Sequence, residues 1–144
     1  MNEPQNIVGI AFINDNKLLI VKSAKSARDN LFTLVGGAVE AHETILEGAI
    51  RECHEEVAYN LDIKESDLEF ITSYIEPAAS DPNLLIKMHI FLSHKKIDCF
   101  PNCNPEIIEY KWYQIGDDEN VSSSIKEHFI PYAINNNILK INND

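Results

Sequence analysis

The sequence predicts one α/β domain over residues 1–144, a mixed sheet covered by helices on both faces. Three observations carry this prediction. A chain of 144 residues with 44% hydrophobic content fills one sizeable core and is short for two. Short β-branched and apolar runs recur between turns rich in Asn, Asp and Pro. Two stretches with helical spacing interleave with those runs instead of forming a separate block.

The elements follow in order. Residues 7–13 are β-branched and apolar, the triplet Asn14-Asp15-Asn16 favours a turn, and residues 18–21 are apolar again, so this region predicts a β-hairpin. Residues 22–30 are polar and carry Lys22, Lys25 and Arg28, a loop that leaves the strand with three positive charges. A short strand over residues 31–35 runs into Gly36-Gly37. Over residues 44–57 the period becomes helical, with Leu46, Ala49, Ile50, Cys53 and Val57 forming one apolar stripe. Thr44 and Glu47 have the spacing of a capping box, in which hydroxyl and carboxylate satisfy each other's orphaned backbone donors. Strands are expected over residues 68–75, 84–92 and 110–115. A last helix is expected from Ser124, where Glu127 repeats the capping spacing, with a kink or restart at Pro131.

The balance of charge excludes some partners. With 23 acidic against 12 basic side chains and a net charge of −11, the chain repels long nucleic acids and anionic membranes. A small polyanion remains admissible if cations stand between it and the protein. Three cysteines are too few for a disulfide framework and point to a reducing compartment. Cys99 and Cys103 lack the second ligand pair that zinc needs, which leaves them ordinary thiols. No signal-peptide pattern is visible, and no apolar run approaches the roughly 20 residues of a membrane span. The expected setting is the cytoplasm.

On the helix over residues 44–57, Glu52, Glu55 and Glu56 share one face, which places three carboxylates opposite the apolar stripe. An isolated E-x-x-E-E is ordinarily a solvated face. Ionised carboxylates this close repel, however, and a hard divalent cation such as magnesium, which favours oxygen ligands, is their natural partner.

The context decides between these. Gly37, Glu43, Arg51, Glu52, Cys53, Glu55 and Glu56 fit the pattern G-x5-E-x7-R-E-U-x-E-E, where U is bulky and apolar. This stretch resembles the signature of the Nudix hydrolases, the MutT-like enzymes that cleave nucleoside diphosphates linked to another moiety. The resemblance implies an α/β/α sandwich and assigns roles residue by residue. Glu52, Glu55 and Glu56 would hold the metal and act in catalysis, with Glu52 the first choice for deprotonating the attacking water. The Gly36 carbonyl would add a ligand. Gly37, Glu43 and Arg51 would support the site, the last two as a charge pair between loop and helix. A further ligand is expected from the loop before Trp112, Glu106 ahead of Glu109. Lys22 and Arg28, with Lys25, are candidates to grip substrate phosphate. The histidines (His42, His54, His89, His94, His128) show no metal spacing. Two departures stand out: Ala58-Tyr59 replaces the Gly that normally closes the helix, which shifts a left-handed cap to Asn60, and Val35 replaces a Pro.

The expected function is magnesium-dependent hydrolysis of a diphosphate linkage, with manganese as substitute. The preferred substrate is a small nucleoside triphosphate, oxidised purine forms included, cleaved to monophosphate and diphosphate. ADP-ribose-type nucleotide sugars and dinucleoside polyphosphates are the alternatives within enzymes, and a nucleotide-sensing module is the alternative outside them. The intact glutamates favour an enzyme.

Overall fold

The computed structural model describes residues 3–24, 26–78, 81–97 and 106–141, except the side chains of Ser26 and Arg28. Its strands are β1 (Gln5–Ala11), β2 (Ile13–Asn14), β3 (Lys17–Ser23), β4 (Val35–Ala38), β5 (Leu68–Pro77), β6 (Leu85–Ser93) and β7 (Ile107–Tyr113). The helices are α1 (Ile45–Glu56) and α2 (Ile130–Asn135), the second entered through a π-helical segment, Ser124–Phe129. Cys99 and Cys103 lie outside the described residues.

The strands form two sheets. One has the order β4-β1-β6-β5, with β1 parallel to β6 and the other pairs antiparallel; the other is antiparallel with the order β2-β3-β7. Helices cover them on opposite sides. Along β3, Leu19 and Val21 enter the core beneath α1 while Leu18 and Ile20 enter the core beneath the C-terminal helices. This strict alternation follows from the two-residue period of a strand, and burial on both faces explains why the run is apolar throughout. Full burial of such a side chain contributes about 1.5–3 kcal/mol.

Helix α1 forms where its stripe predicts. Ala49, Cys53 and Val57 are buried against Val8, Phe12 and Val35, with Leu46 and Ile50 packed at the margin. Its capping box is present: Glu47 N donates to Thr44 Oγ1 at 3.1 Å, and Thr44 N to Glu47 Oε1 at 2.8 Å.

Four expectations are corrected. The hairpin is limited to β2 and β3, turned by Asp15 and Asn16 with φ of 51° and 61°, while β1 pairs with β4 and β6 instead. The chain leaves the first sheet at Phe12, which is wholly buried, so one apolar run serves two sheets. The glycines expected after a strand lie inside β4, and Phe32 and Thr33 make only isolated bridges. The end of α1 needs no left-handed residue: Val57 has φ −100°, Asn60 is not in the left-handed region, and Val57 N and Ala58 N both donate to Cys53 O. Finally, Ser124 is no cap. It is buried against Ser122 Oγ at 2.8 Å, and the Ile130 amide reaches back five residues to Ile125 O just before Pro131, which has no amide to give.

Candidate active site

Strand β4 lies against β1 in a register that sets Gly36 opposite Gly9 and Gly37 opposite Val8. Gly36 has φ 151°, and a β-carbon there would collide with Val8 O. A β-carbon on Gly37 would stand 2.5 Å from Glu52 Oε2. Both glycines are therefore required for the backbone to lie on the glutamate face of α1.

That face is less uniform than its spacing suggests. Glu52 is 7% exposed and sits under Gly37, so it belongs to the buried side of the helix and not to a solvated one. Glu56 is half-buried, and its Oε1 accepts the Gly36 amide at 2.9 Å. Glu55 is half-exposed and turned toward Arg51, whose Nη1 lies 2.9 Å from Glu55 Oε2. Burial pushes the Glu52 carboxyl up to about 7, with Arg51 opposing the shift and Glu55 adding to it. Burial likewise pushes Glu56 up to about 8; the Gly36 amide opposes this, and the charges of Glu52, Glu55 and Glu106 reinforce it.

Arg51 organises the outer side. Its Nε and Nη2 grip Glu43 at 2.7 and 3.0 Å, a two-pronged pair that also takes the Ala38 carbonyl at 2.9 Å and reaches Glu52 at 3.3 Å. The Glu40 amide adds a bond to Glu43 at 2.9 Å. The Arg51 guanidinium and that amide hold the Glu43 carboxyl down at about 2, and Glu43 in turn raises the pKa of Arg51. Loop, β4 and helix are thus fixed by one side chain.

Glu52, Glu55, Glu56 and Glu106 line a common cavity of about 530 Å³ with Ser23, Ala24, Gly36, Gly37 and Ala38. Glu106 is brought there because its carbonyl accepts the Ala24 amide at 2.8 Å, at the end of the β3–β7 pairing. Glu109 is not in this cavity: it faces Lys22 across the two strands, with Nζ to Oε1 at 3.7 Å. Lys22 is also absent from the cavity wall. Its ammonium donates to Asn30 Oδ1 at 2.6 Å and lies 4.4 Å from the centre of the Phe32 ring. Lys25 and the Arg28 side chain lie outside the described residues. No histidine lines this cavity.

The donor set fits a hard divalent cation. It is all oxygen, and desolvation by burial raises the pKa of two of its carboxyls, Glu52 and Glu56, which a bound cation would offset. Among the described residues, however, no three acids, histidines or cysteines already converge as a finished cage. Arg51 Nη1 lies between Glu52 Oε2 and Glu55 Oε2, at 3.3 and 2.9 Å, so part of the acceptor capacity of both carboxylates is already engaged at the edge of the cavity.

Two features beside this cavity have no signature in the local pattern. The Tyr110 hydroxyl on β7 donates to the Glu56 carbonyl at 2.7 Å and so satisfies an orphaned acceptor at the end of α1. A second cavity, also of about 530 Å³, opens from the same Gly36 and Gly37 toward the C-terminal segment and is lined by residues from several elements. Only the pairing of distant strands brings these groups together.

The model of the NUDIX domain matches residues 3–130. The chain therefore belongs to the Nudix family of pyrophosphohydrolases. No curated protein matches it. Solved structures with the same fold include a MutT/nudix family protein from Enterococcus faecalis, 18% identical with TM-score 0.75 over 96% of this chain, which spans 63% of that one. A MutT NUDIX hydrolase from Burkholderia pseudomallei is 16% identical, with TM-score 0.70 over 91% of this chain and 97% of its own. A bifunctional NMN adenylyltransferase/ADP ribose pyrophosphatase from Francisella tularensis, complexed with AMP and a Mn ion, is 18% identical with TM-score 0.64, over 94% of this chain and 42% of its own. No helix among the described residues is long and apolar enough to cross a membrane.

Proposed function

We propose that this site hydrolyses a small nucleoside triphosphate to monophosphate and diphosphate, with magnesium as cofactor and manganese as substitute. The observation that carries the reading is the meeting of two cavities at Gly36 and Gly37, one lined by acids and the other lined in large part by apolar and neutral polar groups. A phosphate chain belongs in the first and a nucleoside in the second. Glu52, Glu55, Glu56, Glu106 and the Gly36 carbonyl would hold the ion, which would supply charge neutralisation of the diphosphate and activation of the attacking water.

The chain's own residues do the rest. Glu52, buried beneath Gly37, is placed to accept the proton of the attacking water. The new bond joins the water oxygen to phosphorus, the bridging P–O bond breaks, and diphosphate leaves. Glu56 is oriented by the Gly36 amide, and Arg51 with Glu43 holds the helix against the glycine strand. Lys22, engaged by Asn30 and Glu109, is better suited to fixing the loop than to binding phosphate.

A second reading has one observation in its favour. The Francisella neighbour is an ADP ribose pyrophosphatase and holds AMP with manganese. Turnover of nucleoside triphosphates, nucleotide sugars and dinucleoside polyphosphates with magnesium, with products identified by mass, decides between them. A nucleotide sugar preferred over every triphosphate by about a hundredfold in kcat/KM overturns the triphosphate reading.

A further inference from the structure

The second cavity lies across the whole larger sheet. It runs from Gly36 and Gly37 on β4, past Ile7 and Gly9 on β1 and Ile86 and Met88 on β6, to Glu76 on β5. Strands lie about 4.8 Å apart, and Gly37 is in register with Val8, His89 and Ser73, so Glu76 stands roughly 14 Å across the sheet and three residues, roughly 10 Å, along β5 from the glycines. The middle of this path is lined by apolar side chains, Ile7, Leu34, Ile86 and Met88. Leu34 and Met88 close over Gly9, where a β-carbon would come 3.0 Å from Leu34 Cδ1 and 3.7 Å from Met88 Sδ. The opposite wall is the C-terminal segment, including Ser123 and Lys126. With phosphates at the glycines, a planar base covers the apolar stretch and turns its outer edge toward Glu76.

We propose that Glu76, positioned by Ser123, determines base specificity by selecting rings with two adjacent N–H donors, which is to say guanine-type nucleotides. The inference rests on the placement of the phosphates proposed above. The Ser123 hydroxyl donates to the Glu76 carboxyl, 3.1 Å from Oε1 and 3.4 Å from Oε2, and this single donor leaves most of the lone pairs of the two oxygens available. An ionised carboxylate only accepts hydrogen bonds, so it pairs well with the N1–H and N2–H of guanine, which lie side by side like its own two oxygens. Adenine and cytosine set a lone-pair nitrogen beside their amino group, and uracil flanks its N–H with carbonyls. Each of these brings a lone pair against the carboxylate. Lys126 on the same wall is a donor for the O6 that adjoins N1–H.

The test measures binding as well as turnover. Affinities of GMP, IMP and AMP are measured by calorimetry on the magnesium-loaded protein, and kcat/KM is measured for GTP, ITP and ATP. IMP differs from GMP only by the missing 2-amino group. Wild type is expected to bind GMP about tenfold or more tighter than IMP, the loss of one hydrogen bond to a charged group. Glu76→Gln, which presents one acceptor and one donor, brings that ratio near one and improves AMP relative to GMP. Ser123→Ala lowers the ratio in part, with an unchanged melting temperature. Equal affinity for GMP and IMP in wild type, or an unchanged ratio in Glu76→Gln, overturns the assignment. A GMP preference that vanishes in Glu76→Gln while no triphosphate is turned over upholds the assignment and overturns only the triphosphate reading.

Discussion

The two cavities that meet at Gly36 and Gly37 are built in opposite ways. Most of the acid cavity is encoded locally: Gly36, Gly37, Glu52, Glu55 and Glu56 fall within one strand, one loop and one helix. The second cavity takes its walls from β1, β5, β6 and the C-terminal segment, up to 120 residues apart in sequence, for instance Ile7 and Glu127. On the function proposed above, the first would hold chemistry by the fixed geometry of a helix against a glycine strand. The second would hold selectivity by strand pairing, and it could then vary without disturbing the first.

If chemistry resides in the local unit, its buried carboxyls should dominate activity. Glu56→Gln and Glu52→Gln are each expected to reduce kcat by roughly 100- to 10,000-fold, about 3–5 kcal/mol, with the circular dichroism spectrum unchanged. Both swaps keep side-chain size, so a near-wild-type rate in either variant removes that residue from the site. A smaller effect, on folding rather than chemistry, is expected at the junction. Gly36→Ala places a β-carbon against Val8 O at φ 151° and should destabilise the fold by roughly 2–4 kcal/mol in denaturant titrations. An unchanged midpoint would mean that β4 can shift away from β1.

The same division explains what the sequence made legible. Helix α1, its capping box, the Glu43–Arg51 bridge and the spacing of Glu52 and Glu56 are set within about four helical turns, where periodicity reports directly on geometry. The burial of Glu52 was not legible, because the helix period gives a residue's angle and not what covers it; Gly37 from another strand does that. Partnering was likewise hidden. The run over residues 7–13 reads as one strand although Phe12 divides it between two sheets, and Lys22 reads as a loop charge although it is enclosed by Asn30, Phe32 and Glu109. Glu106 came within reach of Glu56 only through the pairing of β3 with β7.

Removal of metal sharpens the comparison through pH. Glu52 and Glu56 have folded pKa values of about 7 and about 8 against an ordinary value of 4.5. Between pH 4.5 and 8 the metal-free folded state therefore binds more protons than the unfolded chain, and stability falls as pH rises. The metal-free protein should lose roughly 1–3 kcal/mol between pH 5 and pH 8.5, the stabilisation being fully present below pH 4.5. Magnesium held by these residues would require the deprotonated carboxylates, so at saturation it should flatten this slope and release protons on binding at pH 6.5, detected as a buffer-dependent binding enthalpy. A metal-free stability that rises over this interval would place both carboxyls in a different environment.

The smallest expected effect tests whether strand pairing contributes to the acid cavity at all. Tyr110 belongs to β7, far from the helix in sequence, yet its hydroxyl donates to the Glu56 carbonyl at 2.7 Å where α1 would otherwise leave that acceptor unmatched. Glu56 is then held at both ends, by Tyr110 through its backbone and by the Gly36 amide through its carboxylate. Tyr110→Phe removes one oxygen and keeps the ring, so it should lower stability by about 1 kcal/mol, the net value of one hydrogen bond. A purely structural contact would stop there. If the tyrosine also positions Glu56, the magnesium concentration for half-maximal activity should rise several-fold while kcat at saturating magnesium stays within about twofold, because the carboxylate is displaced from the ion but not removed. An unaltered magnesium dependence with the same loss of stability would confine Tyr110 to the fold and leave positioning of Glu56 to the local unit alone.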